Sequence, residues 1–192
     1  NAAIESDSDW AQIITWNDYS EATEILPSTG TQYAFYDLSA YYITWFKTGK
    51  KPKIVRDVLY YFHRTQFTDA APTEGDTFRC AGGEPADIIE LVAFLKEPGT
   101  IAIEIGDRRY TQEGDYGLNV LQVPLQHGTP VFQLIRDGQT TIALQSAFPI
   151  LNEPALVHDL LYKAGSSTRQ PVPMTDLYRR FYDFDAPEPA TP

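Results

Sequence analysis

The sequence predicts a mainly β chain: an antiparallel β-sandwich preceded by one strand and one helix of a different character. Two observations carry the sandwich. Between residues 88 and 146 six short runs rich in β-branched and apolar residues follow one another closely, separated by turn signals such as Gly106-Asp107 and Asp137-Gly138. No helical period interrupts them. A third observation sets the lead apart: residues 31–48 place Phe35, Leu38, Tyr42 and Trp45 at i, i+3, i+7 and i+10, which is a helical stripe.

Taken in order, residues 1–9 are small and polar and read as a loop. Ile13 and Ile14 form a short apolar run that reads as a buried strand. The polar burst Trp16, Asn17, Asp18, Tyr19 and Glu21 reads as the place where that strand leaves the core. Residues 22–30 carry Pro27, Ser28, Thr29 and Gly30, which is turn chemistry, and Glu24 reads as a solvated loop charge. The helix over 31–48 takes a cap from Ser28 or Thr29 and a left-handed stop at Gly49. Its aromatic stripe reads as core.

Lys50-Lys51-Pro52 is the natural boundary, giving units at 1–50, 51–163 and 164–192. The run Ile54 to Phe62 favours a strand, and His63 behind it reads as a satisfied structural residue. Residues 67–87 read as a long surface loop. Strands are expected at 88–96, 100–105, 109–111, 117–125, 131–136 and 140–146, the last two joined by a tight hairpin. Residues 151–163 read as strand or short helix, 164–173 as Gly/Ser/Pro linker, 174–184 as a docked aromatic segment and 185–192 as a disordered tail.

The balance of 15 Lys and Arg against 26 Asp and Glu gives a formal charge of −11, which argues against nucleic acid and anionic membrane as partners. It is compatible with a neutral polysaccharide, though a surface kept soluble by charge is the simpler cause. Cys80 is the single cysteine, so the chain has no internal disulfide and no Cys-based zinc site. His63, His127 and His158 are spread without metal-ligand spacing, and no phosphate-cradling Gly-rich loop or nucleophile elbow is present. No metal and no cofactor is expected. No apolar run reaches the ~18 residues of a membrane span, and no signal peptide is visible. The polar lead without an initiator Met fits a mature or clipped product.

An aromatic platform beside an amide and carboxylates suits a sugar. Trp16 or Tyr19 would stack on the C–H face of a pyranose while Asn17, Asp18 and Glu21 bond its hydroxyls. An ordinary strand-to-loop exit has the same composition. The run Ile-Thr-Trp-Asn-Asp-Tyr-Ser-Glu, the Ser28-Thr29-Gly30 turn, the aromatic helix ending near Lys47-Thr48-Gly49, and Val-Leu-Tyr-Tyr-Phe-His-Arg at 58–64 together resemble the C-terminal part of the α-1,3-glucanases (mutanases) of glycoside hydrolase family 71. The resemblance runs from about residue 10 to the end of the β-rich region. It implies a (β/α)8 catalytic barrel followed by a β-sandwich, of which this chain holds the last barrel strand, the last barrel helix and the sandwich. Phe62 to Gln66 departs from the Tyr-Arg-Pro-His-Pro common in relatives, so no role is carried over to His63 or Arg64.

The resemblance also implies a secreted or cell-wall hydrolase whose substrate is α-1,3-glucan and whose N-terminal barrel portion is its partner. Glycoside hydrolysis normally uses two carboxyl groups across the scissile bond. The resemblance places those acids on earlier barrel strands. The catalytic residues are therefore unassigned, and Trp16, Asn17, Asp18, Tyr19 and Glu21 are expected to bind substrate, with Asp18 and Glu21 kept as an alternative catalytic pair. The competing expectation is a non-catalytic β-sandwich module that binds polysaccharide or protein.

Overall fold

The computed structural model describes residues 2–19, 23–76, 85–153 and 155–172. Glu21, Cys80, Pro154, part of the expected 67–87 loop, the 174–184 segment and the 185–192 tail lie outside the described residues. The described chain is mainly β. Two helices, α1 (Ala2–Glu5) and α2 (Ala34–Thr48), precede eight strands: β1 (Val58–His63), β2 (Ile88–Leu95), β3 (Gly99–Ile105), β4 (Arg108–Gly114), β5 (Gly117–Pro124), β6 (Val131–Arg136), β7 (Gln139–Gln145) and β8 (Lys163–Ser166).

The strands form two four-stranded antiparallel sheets, ordered β5-β2-β1-β8 and β4-β3-β6-β7. One core lies between them. It takes Leu59, Tyr61, Leu91 and Leu95 from the first sheet and Ile101, Ile103, Phe132 and Leu134 from the second. Alternation explains the rest. In β1 the neighbours of Leu59 and Tyr61 are Val58, Tyr60 and Phe62, which point to the opposite face and are also buried. A strand apolar on both faces needs cover on both, and α2 supplies it. Phe35 stacks on Phe62 at 5.6 Å and Tyr41 lies 4.9 Å from Phe94. Among the described residues the outer face of the second sheet has no such cover, and it is polar, with Glu104 paired to Arg109 and Thr100 donating to Glu113.

The hairpin between β6 and β7 turns on Asp137 and Gly138, both at positive φ (51° and 74°), the pair of left-handed residues a type I′ turn requires. The crossing from β2 to β3 is pinned by Arg136, which grips Asp57 through two 2.8 Å bonds and donates to the carbonyls of Pro98 and Glu97. Among the described residues no helix is long and apolar enough to cross a membrane.

Six expectations need correction. Ala2–Glu5 are helical where a loop is expected, and residues 151–153 and 155–162 are neither strand nor helix. Ile13 and Ile14 form no strand and stand 50% and 69% exposed. A buried parallel strand needs neighbours on both sides, and none of the eight strands pairs with this segment. Helix α2 therefore packs on the outer face of the β1/β2 sheet and not on a preceding strand of its own. Its N-cap position is Tyr33, without a side-chain cap bond; the Ser28 hydroxyl instead accepts from the Thr31 N–H in the turn before it. Gly49, at φ 67°, closes the far end as expected. Within the expected linker, Ala164, Gly165 and Ser166 belong to β8, paired to β1. Small residues suit that place, because the Tyr61 ring lies across Gly165 where a side chain would stand.

Candidate functional site

The segment expected to meet a sugar is an exposed turn, closed on itself. The Thr15 N–H donates to the Thr23 carbonyl, and the two threonine hydroxyls bond at 2.9 Å. The Trp16 carbonyl accepts from the N–H groups of Ile25 and Leu26. The Asp18 N–H donates to the Thr15 hydroxyl, and its carbonyl accepts from the Thr23 N–H. These bonds fix the backbone and leave the aromatic side chains outward. Trp16 is 54% exposed, with one edge near Tyr36, and Tyr19 is 52% exposed. Asn17 is exposed and Asp18 half-buried.

Of these residues only Tyr19 lines a cleft of about 640 Å³, whose other walls come from residues 24–31 and from the segment entering β8. Trp16, Asn17 and Asp18 do not line it, and Glu21 lies outside the described residues. The cleft walls hold Glu24, Phe35, Arg64, Tyr162 and Lys163. Glu24, expected as a solvated charge, is a correction: it is 8% exposed and accepts from the Thr31 hydroxyl at 3.3 Å. The loop folds back through Ser28 and Thr31 and carries the carboxyl inward with it. Because Thr31 donates to Glu24, the 2.8 Å bond between Ser28 and Thr31 runs from Ser28 to Thr31.

Arg64 follows β1 and is 7% exposed. Its Nε donates to the Leu160 carbonyl at 2.7 Å and its Nη1 to the Ala86 carbonyl at 2.8 Å. Its guanidinium carbon lies 4.2 Å from the Tyr162 ring centre. Lys163 is buried against Asp159 at 2.8 Å. No property of the local sequence joins Glu24, Arg64 and Tyr162. An arginine directly after an apolar strand was the one available signal, since burying such a charge demands fixed partners.

His63 is structural, as expected. It is fully buried, with Nδ1 2.9 Å from the Arg64 carbonyl and Nε2 2.8 Å from the Ser146 hydroxyl. A carbonyl only accepts, so Nδ1 carries the proton, while Nε2 and the Phe148 carbonyl, 3.0 Å from the same hydroxyl, share the single proton of Ser146. Burial pushes its pKa down to about 4, with the charge of Lys163 acting in the same direction. Among the described residues no group of three or more His, Cys, Asp or Glu is placed to hold a metal ion.

The chain belongs to glycosyl hydrolase family 71, whose family model matches residues 1–163. Over 156 residues it is 26% identical to the glucan endo-1,3-alpha-glucosidase agn1 of Schizosaccharomyces pombe, a match covering 73% of this chain and 37% of that protein. Over 160 residues it is 28% identical to the mutanase Pc12g07500 of Penicillium rubens, covering 74% of this chain and 36% of that one. The chain thus spans little more than a third of the length of these curated relatives. No solved structure matches it.

Proposed function

We propose that this chain is the C-terminal part of a glycoside hydrolase that cleaves α-1,3-glucan, outside the cell or in the cell wall where that polymer lies. The observation that carries this is the family 71 match over residues 1–163, together with two relatives named as a glucan endo-1,3-alpha-glucosidase and a mutanase. Residues 1–50 are the end of the catalytic barrel, 51–163 the sandwich, and 164–192 the linker and tail, apart from Ala164, Gly165 and Ser166, which belong to β8. Trp16 and Tyr19 offer ring faces to glucose units, and Asn17, Asp18 and Glu21 bond their hydroxyls. The principal catalytic acids lie on the barrel portion that precedes this chain.

The exposure of Trp10, Ile13 and Ile14 within five residues supports this reading. Such a row of large apolar side chains in water calls for a covering partner. Earlier barrel strands would supply both the cover and the ladder that residues 12–15 lack.

Reducing-sugar release from insoluble α-1,3-glucan tests the proposal, using this chain alone and the same chain joined to its N-terminal portion. Cleavage by the joined form only is expected. Cleavage by this chain alone would return the catalytic role to Asp18 and Glu21. Tight glucan binding without cleavage by either form would make the chain a binding module.

A further inference from the structure

Arg64 and Glu24 line one cleft, carry opposite formal charges, are each more than nine-tenths buried, and form no ion pair with each other or with any other described residue. Both are held by neutral groups instead. Two guanidinium nitrogens are committed to the carbonyls of Leu160 and Ala86, while Nη2 has no partner among the described residues. Glu24 has a single hydrogen-bonding side-chain partner there, Thr31. Two such residues lining one cavity, with no ion pair between them, give it both a charged donor and a charged acceptor.

A neutral ligand rich in hydroxyls completes that arrangement, since each hydroxyl both accepts from a guanidinium and donates to a carboxylate. An anion would gain Arg64 but face Glu24, and a cation the reverse. Lys163 adds no free charge, because Asp159 neutralises it. The walls also carry rings: Tyr19 is half-exposed, and Tyr162 presents one face to Arg64. The volume of about 640 Å³ falls inside the ~300–1,000 Å³ usual for small-molecule sites.

We propose that this cleft is a binding site for a neutral oligosaccharide, with Arg64, Tyr162, Glu24 and Tyr19 as its contacts. The body then takes part in binding and does not merely buttress a barrel. The choice of an α-glucan as occupant rests on the proposed function; neutrality and hydroxyl content rest on the cleft alone.

Isothermal titration of the 192-residue chain tests this, with an α-1,3-linked glucose trisaccharide, maltotriose and a galacturonate trisaccharide, each to ~10 mM. Binding of a neutral trisaccharide but not the charged one is expected, weakened at least ~10-fold by Glu24→Gln and by Tyr162→Ala. Circular dichroism establishes that both variants fold; Glu24→Gln keeps the shape of the side chain and removes only its charge. No binding of either neutral sugar would overturn the proposal, as would binding that both variants leave unchanged while Trp16→Ala abolishes it. The two readings fail separately. Binding through the cleft with no glucan cleavage by the joined enzyme sinks the hydrolase and keeps the site, and cleavage with binding insensitive to both variants does the reverse.

Discussion

Gly165→Ala tests how β8 closes the first sheet. In an ordinary strand this change stabilises, because alanine has less chain entropy to lose, by about 0.5–1 kcal/mol. Here an added Cβ would sit 2.7 Å from both Cζ and Oη of Tyr61, its cross-strand partner. The ring's Cε1 would be closer still, so relief needs a shift of roughly 1 Å to reach a comfortable contact. The ring has nowhere to go. It stacks parallel on Phe132 at 5.0 Å, and its hydroxyl accepts from the Ala147 N–H at 3.0 Å. Overpacking of this kind costs about 1–3 kcal/mol, which for a domain of this size lowers Tm by roughly 4–10 °C. Thermal and urea unfolding followed by circular dichroism measure it. A second arm isolates the cause: in a Tyr61→Leu background Gly165→Ala should lose most of its penalty, a coupling of at least ~1 kcal/mol. An unchanged or raised Tm, or simple additivity of the two changes, refutes the steric account.

Gly49→Ala tests the opposite case, since nothing lies within 4 Å of an added Cβ but the residue holds φ at 67°. It should cost about 1 kcal/mol through conformation alone, seen as a lower urea midpoint with unchanged m. Asp57→Ala removes both short bonds to the mostly buried Arg136 and leaves it only the exposed Glu97 carboxylate, at 3.8 Å, as a charged partner among the described residues, and should cost about 3 kcal/mol. The bonds from Arg136 hold the Asp57 carboxyl below its ordinary value of 3.8, so the stability it lends is present above that pH and is lost on further acidification. His63 has the other signature: neutral when folded and protonated near 6.5 when unfolded, it contributes stability that is complete above pH 6.5 and lost as pH falls towards 4. The loss approaches about 3 kcal/mol, and His63→Gln should flatten the unfolding-versus-pH curve over that window. In the joined enzyme Trp16→Ala should raise KM for α-1,3-glucan about tenfold through loss of a stacking face, and an unchanged KM would remove Trp16 from the substrate path.

The strands were legible because each carries its own evidence. The runs at 88–95, 99–105 and 131–136 alternate or saturate with β-branched residues, and Asp137-Gly138 specifies its turn by backbone preference alone. Helix α2 was legible for the same reason, from a stripe at helical spacing and a glycine at its end. The 12–15 run was misread because burial is not a property of two isoleucines. It depends on what lies beside them, and the described chain puts no strand there and leaves both at least half exposed. Strand β8 was missed because Lys-Ala-Gly-Ser carries no strand signal of its own; it is strand because Tyr60 to His63 offer it an edge.

The candidate site divides along the same line. Trp16, Asn17, Asp18, Tyr19 and Glu21 drew attention as neighbours in sequence, and the turn bonds that hold residues 15 to 26 are local. Glu24, Arg64 and Tyr162 meet at one cleft although 40 and 98 positions separate them in turn. The sequence by itself determined the local choices: where the chain turns, which runs are extended, and which helix face is apolar. Tertiary structure alone decided that β1 is buried on both faces, that Glu24 leaves water, and that Arg64 lies against Tyr162. The physical reason is range. Propensity and turn chemistry act over a few residues, whereas burial and charge are set by whatever the folded chain brings alongside.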